Sequence, residues 1–177
     1  MFLIPGQVIA ALTFPGVIVH ELAHQLFCRF FRVAVFDVCY FRFENPVGYV
    51  IHEPPSKASH HVLIGVGPFI ISSLLGAFIA FPAATPVLRF ETGTVLDYFL
   101  IWLGVSIAMH SFPSTADANS IWEAISGKDV PVLLRFISKP AVGLIYLGAI
   151  GSVFWLDLVY GIAIAMLLPE LLISFLV

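Results

Sequence analysis

The sequence has 177 residues, of which 60% are hydrophobic and only 11% are charged. Its mean hydropathy is +1.02. A water-soluble chain needs roughly a quarter of its residues charged to form a polar surface. The composition therefore excludes an ordinary soluble domain and predicts that the chain contacts the lipid bilayer. The net charge of −3 comes without a basic run, so nucleic acid is not an expected partner.

Apolar stretches divide the chain into predicted membrane segments, each of which needs about 20 residues to cross a bilayer. The first runs from about residue 2 to 27, the second from about 62 to 81, and the third from about 94 to 112. Residues 131–177 hold one or two further segments, with a break near Asp157. This pattern predicts an all-α polytopic membrane protein with four or five transmembrane helices.

A different kind of sequence separates the first two segments. Residues 32–52 are rich in β-branched and aromatic side chains and contain Asn45-Pro46 and Gly48 between two such runs. This composition predicts a membrane-associated β-hairpin. Because a lone hairpin is marginally stable in water, it would pack on the helices or the membrane surface. Its open edge would be able to pair with an extended peptide.

Basic residues are distributed unevenly between the two sides of the predicted membrane segments. Seven follow the first or third segment, and one lies on the opposite side: Arg29, Arg32, Arg42, Lys57, Lys128, Arg135 and Lys139 against Arg89. By the positive-inside rule, the first group is cytoplasmic and the N-terminus is outside. The chain is thus predicted to be a multi-pass protein of the cell membrane.

The first segment contains the sequence His20-Glu21-Leu22-Ala23-His24. On a helix, residues i and i+4 are separated by about 40° around the axis, so both histidines project from one face and can share a metal. Glu21 then lies beside the metal as a general base and acid. The alternative is a chance polar patch on a helix that faces the bundle. Ionisable groups are costly in lipid, so the metal site is the favoured interpretation.

A zinc site of this type needs a third protein ligand in addition to His20 and His24. The first and third segments cross the membrane in the same direction, so candidates follow the third segment. Asp117, after a Pro-Ser-Thr break, is the predicted ligand, and its alternative role is an ordinary first-turn aspartate. His110 is the rival ligand. A supporting catalytic role is predicted for it, as a donor to the developing oxyanion through a protonated or an Nε2–H imidazole, and the alternative is a satisfied histidine that caps a helix end.

Three other histidines lie at the predicted cytoplasmic mouth. His52, His60 and His61, with Glu53, would allow a second and weaker metal site, but solvated interfacial histidines are commoner. They are not expected to be ligands.

Residues Thr13 to Asn119 resemble the site-2 protease family of intramembrane zinc metalloproteases. The resemblance is carried by the HExxH motif, by a hairpin that leads to Gly67-Pro68, and by Pro113 followed by Asp117. It implies that His20, His24 and Asp117 bind Zn²⁺ and that Glu21 is the catalytic acid and base. The family usually shows Asn-x-x-Pro followed by Leu-Asp-Gly, where this chain has His110-Ser111-Phe112-Pro113 followed by Ala116-Asp117-Ala118. The resemblance is thus to a small, divergent, core-only member.

Together, the motif and the membrane segments predict one transmembrane metalloprotease domain over residues 1–177. It would hydrolyse peptide bonds of transmembrane or membrane-proximal substrates near the cytoplasmic face. The alternative function is a metal-binding but non-proteolytic membrane chaperone, assembly factor or pseudoprotease. A small transporter is disfavoured, because the polar residues cluster at one end instead of following several helices. The sequence leaves open whether the protein forms a homo-oligomer.

Overall fold

A computed structural model describes residues 5–127 and 130–176. Most of these residues are helical, and a two-stranded sheet follows the second helix. The helices are α1 Gly6–Leu12, α2 Phe14–Phe30, α3 Ala58–Leu88, α4 Val95–Met109, α5 Thr115–Ser126, α6 Val132–Ser152, α7 Leu156–Ile162 and α8 Leu168–Leu176, and the strands are β1 Val35–Cys39 and β2 Tyr49–His52. A π-helical turn, Ala163–Leu167, joins α7 to α8.

Three helices in the described part of the chain are long and apolar enough to cross a membrane. They are α3 with 31 residues, α6 with 21 residues, and the continuous helix Leu156–Phe175 with 20 residues. The pair α1 and α2 would make a fourth span if it is counted as one bent segment. These lengths agree with a helical membrane protein.

The first predicted segment is not one straight helix. Helices α1 and α2 meet at Thr13 with a bend of 88°. Pro15 accounts for the break, because it lacks an N–H group and its ring would clash with the carbonyl of Ala11 in a continuous helix. The predicted segment of residues 2–27 therefore contains a bend, and it crosses the membrane only if α1 and α2 count as one bent span. Its first residues, 2–4, lie outside the described part.

The third predicted segment is also shorter than expected. Helix α4 begins at a capping box formed by Thr94 and Asp97, and it ends at Met109 instead of residue 112. The ring of Pro113 would collide with the Met109 carbonyl if the helix continued, which explains the early end. With 15 residues, α4 is about 22 Å long and falls short of a bilayer core of about 30 Å.

Helix α3 lies at the centre and contacts α2, α4 and α5. The backbones of α3 and α4 come close together at two glycines. A Cβ atom on either Gly76 or Gly104 would lie 2.7 Å from the other's carbonyl oxygen. Small residues thus let the two backbones meet, as is common in membrane helices.

The hairpin lies against α2. Its strands pair antiparallel, with Cys39 opposite Tyr49 and Val38 opposite Val50, and β1 carries a bulge between Val35 and Asp37. The predicted hairpin of residues 32–52 is therefore present, although its paired strands are shorter than the predicted arms. This placement brings β2 and the loop before it next to the HExxH turn of α2.

Candidate metal centre

Two helices bring the three predicted ligands together. His20 and His24 lie one turn apart on α2, and Asp117 lies in the first turn of α5. Their nearest ligand atoms all lie within 4.8 Å of one another. The Nε2 atoms of the two histidines are 3.2 Å apart, and His24 Nε2 is 3.6 Å from Asp117 Oδ1. No other group of this kind occurs in residues 5–127 and 130–176.

Backbone carbonyls fix the orientation of both imidazole rings. His20 Nδ1 is 2.7 Å from the carbonyl oxygen of His110, and His24 Nδ1 is 3.0 Å from that of Ile64. A carbonyl can only accept, so each Nδ1 carries the proton and each neutral ring presents the lone pair of Nε2. This is the usual arrangement behind metal-bound histidines, in which a second partner fixes the tautomer.

The carboxylate of Asp117 divides its two oxygens between two tasks. Oδ2 accepts hydrogen bonds from the Ser114 N–H at 2.8 Å and the Ser114 hydroxyl at 2.6 Å, which completes a capping box at the start of α5. Oδ1 faces His24. The two interpretations of Asp117, as a helix-capping residue and as a ligand, are therefore compatible.

The atoms that converge here suit a cation. Two imidazole lone pairs and one carboxylate oxygen meet with no proton between the two neutral rings, which is unfavourable unless a positive charge lies among them. Ligands of a tetrahedral zinc ion, bound at about 2.0–2.1 Å, lie about 3.3 Å from each other. The observed separations of 3.2 and 3.6 Å are close to this value. The residues present thus fit a zinc ion.

Glu21 lies beside these ligands under the hairpin loop. Its exposed fraction is only 9%. Gly48 is the reason, since a Cβ atom there would lie 2.7 Å from Glu21 Cγ and 2.9 Å from Oε1. Only a residue without a side chain allows the loop to approach the carboxyl group this closely.

Two cavities open from Glu21. One, of 240 Å³, is bordered by β2 and Asp117, and we call it the hairpin cavity. The other, of 330 Å³, extends to the junction of α6 and α7, and we call it the α6 cavity. Both are lined by His20, Glu21, Pro46, Gly48 and Ser114. The HExxH turn and the hairpin loop therefore form the boundary that the two cavities share.

His110 is the C-cap residue of α4, and its backbone carbonyl accepts the hydrogen bond that orients His20. Its Nε2 atom is 2.8 Å from the Thr13 hydroxyl, which itself donates to the Ile9 carbonyl at 2.7 Å. The His110 Nε2–H group therefore donates to Thr13. It is committed to that bond, so this geometry does not support the predicted donation from Nε2–H to an oxyanion. The catalytic role of His110 stays a prediction.

The three histidines of the predicted cytoplasmic mouth have separate partners. The His60 ring stacks on Phe31 with centroids 4.3 Å apart, His61 contacts the Ser120 hydroxyl at 3.3 Å, and His52 Nδ1 lies 2.8 Å from its neighbour's carbonyl. Among the described residues they form no second metal cluster.

Several residues of the site were not predicted from the sequence. No sequence motif marks the Ile64 carbonyl, the Thr13 hydroxyl or the position of Gly48. Gly48 was noticed only as a turn residue. The capping box of Ser114 was recognisable from its spacing to Asp117, although it gave no indication that Oδ1 would face His24.

No family model matches the chain, and neither a curated protein nor a solved structure matches it significantly.

Proposed function

We propose that this protein is an intramembrane zinc metalloendopeptidase that hydrolyses transmembrane or membrane-proximal peptide segments near the cytoplasmic face. One observation carries the proposal: the lone pairs of His20 and His24 and the free oxygen of Asp117 converge within 4.8 Å. Glu21 lies beside them at the boundary of two cavities. Zinc peptidases combine such a set of metal ligands with an adjacent carboxylate that acts as the general base.

Each residue has a defined task in this proposal. Zinc, when held by His20, His24 and Asp117, supplies a Lewis acid that polarises a peptide carbonyl and acidifies water. Glu21 takes the proton of the attacking water on a carboxylate oxygen and passes it to the leaving amine. The carbonyls of His110 and Ile64 keep the two imidazoles in the metal-binding tautomer.

The outer edge of β2 offers a place for an extended substrate. The N–H of Glu53 donates to the Ala34 carbonyl at 2.8 Å, so the main-chain N–H and C=O groups of Glu53 face β1. Along an antiparallel strand, residues of this kind alternate with residues whose main-chain groups face the opposite way. The main-chain groups of Val50 and His52 therefore point away from β1. Both residues line the hairpin cavity, and in the described part of the chain β2 pairs with β1 alone. A substrate strand would add at this edge.

The membrane setting of the site is part of the proposal. We infer a multi-pass protein of the cell membrane with the N-terminus outside and the metal ligands toward the cytoplasm, on the basis of the basic residues. The bend at Thr13 supports a site that water reaches, since it turns α1 away from the axis of α2. A substrate helix would have to unwind locally before its backbone reached the ligands.

A metal-binding protein without proteolytic activity is the second candidate. The observation that favours it is the tight cover of Gly48 over Glu21, which leaves that carboxyl group little exposed. The two candidates differ in one property. A peptidase needs the carboxylate of Glu21, whereas a binding protein does not.

The test compares membranes that contain wild-type protein with membranes that contain Glu21→Gln. New protein N-termini are identified by mass spectrometry, and zinc is measured in each purified protein. We expect a set of cleavages that is lost in Glu21→Gln, with one zinc ion per chain in both proteins. Glu44→Gln is the matched control, because Glu44 lies in the hairpin loop with a side chain that is 76% exposed.

Identical N-termini from wild type and Glu21→Gln, with zinc bound to both, would favour the non-proteolytic candidate. Absence of zinc from the wild type would contradict the ligand set.

A further inference from the structure

The α6 cavity has a distinct chemical character. One side is formed by the apolar residues Met109 and Phe112, and another by Gly148 and Ala149 of α6. Asp157, in the first turn of α7, also lines this cavity. The carboxyl groups of Glu21 and Asp157 and several apolar residues thus line one cavity.

The size of this space suits one side chain and not a folded segment. Its volume is 330 Å³, near the lower end of the range for small-ligand pockets, about 300–1,000 Å³. An intact helix, about 10 Å across with its side chains, does not enter such a space. A substrate strand on the β2 edge would run through the hairpin cavity, and at Glu21 a neighbouring side chain would reach the α6 cavity.

The charged residues that line the cavity indicate which kind of substrate side chain it would accept. Among the described residues that line it, Glu21 and Asp157 are acidic and none is lysine or arginine. Asp157 Oδ1 accepts from the Leu158 N–H at 2.9 Å, and within residues 5–127 and 130–176 Asp157 forms no ion pair. That hydrogen bond uses Oδ1 only, and a carboxylate accepts further donors through its other oxygen.

We infer that the α6 cavity is a specificity pocket that takes a lysine or arginine side chain of the substrate, from a residue next to the cleaved bond, with Asp157 as its partner. The apolar walls would enclose the aliphatic stem and the carboxylate would bind the cationic end, as long basic side chains prefer. This inference rests on the proposed function. It adds the substrate class: a membrane-proximal segment with a basic residue at the cleavage site.

Binding to the inactive Glu21→Gln protein in lipid nanodiscs tests this inference without requiring catalysis. The probes are fluorescent, otherwise apolar peptides that are identical except for one central residue: lysine, norleucine or glutamate. We expect the lysine peptide to bind about tenfold more tightly than the norleucine peptide, the size expected of one charge-assisted hydrogen bond. Adding Asp157→Asn should reduce that ratio to less than about twofold, and Asp157→Lys should favour the glutamate peptide.

Glu170→Gln, also added to the inactive protein, is the control, since Glu170 bonds to Thr85 and does not line the cavity. It should leave the lysine preference intact. Equal binding of the lysine and norleucine peptides, a preference that survives Asp157→Asn, or absence of binding by all three peptides would overturn the inference. Failure of the proposed function is distinguishable, because it would show as missing Glu21-dependent cleavage while the lysine preference and its dependence on Asp157 remain.

Discussion

The imidazole of His20 is held by the backbone of His110, through a hydrogen bond of 2.7 Å from Nδ1–H to the carbonyl oxygen. That carbonyl is available because α4 ends at Met109, before Pro113. The direction of the Nε2 lone pair therefore depends on where a different helix ends. Thr13 fixes the side chain of His110, since the Thr13 hydroxyl accepts a hydrogen bond from His110 Nε2–H at 2.8 Å.

Thr13→Val should weaken zinc binding without removing any ligand. The His110 Nε2–H group would lose its acceptor in a part-buried position, which costs about 1–3 kcal/mol. A shift of His110 would move the carbonyl that orients His20. Zinc affinity, measured by competition with a chelating dye, should fall together with the midpoint of thermal unfolding.

Thr13→Ser is the matched control, because serine keeps the hydroxyl in the same place. It should bind zinc nearly as tightly as the wild type. Equal zinc affinity in Thr13→Val and Thr13→Ser would mean that His110 is held by other contacts.

The helical turn that carries His20 and His24 is predictable from the sequence, but the elements that pack around it are not. The i, i+4 spacing of His20 and His24 places both rings on one helix face wherever the helix lies, because the periodicity is a local property. The position of Gly48 over Glu21 depends on how distant elements pack. No local pattern encodes such a contact, which is why Gly48 is identified from the sequence only as a turn residue.

Asp117 allows its two tasks to be separated by mutation. Asp117→Asn keeps an oxygen that can accept from Ser114 but loses the negative charge toward His24, so zinc affinity should fall at least about tenfold. Ser114→Ala keeps the carboxylate but removes the hydroxyl of the capping box, so stability should fall by about 1 kcal/mol while zinc is retained. Zinc titration and thermal unfolding of both variants check the pair. Full zinc affinity in Asp117→Asn would remove Asp117 from the ligand set.

Gly16→Ala should destabilise the fold, because α2 and α4 meet there. An added Cβ atom would lie 2.0 Å from the Ser106 carbonyl oxygen and 2.5 Å from His110 Cδ2, so the helices would have to separate. Such overpacking costs about 1–3 kcal/mol. Thermal unfolding in detergent measures the loss.

Gly143→Ala supplies the comparison for that substitution. Gly143 lies inside α6, and a Cβ atom there would meet nothing within 4 Å. Alanine in an open helical position gains about 0.5–1 kcal/mol over glycine, so this variant should be as stable as the wild type or more so. Equal destabilisation by both changes would contradict the close approach of α2 and α4.

Gly48→Ala tests the contact between the hairpin loop and the carboxyl group of Glu21, the proposed general base. The new methyl group would lie 2.7 Å from Glu21 Cγ and 2.9 Å from Oε1, so either the loop or the Glu21 side chain must move. The ligand atoms belong to α2 and α5 and do not depend on the loop, so zinc should be retained. Cleavage should fall by about tenfold or more, since misplacement of a catalytic group by about 1 Å costs up to 100-fold. Cleavage that remains at the wild-type rate would show that the loop moves aside freely. Gly48 would then cover Glu21 without positioning it, whereas a loss of cleavage with zinc still bound would establish the loop as part of the catalytic geometry.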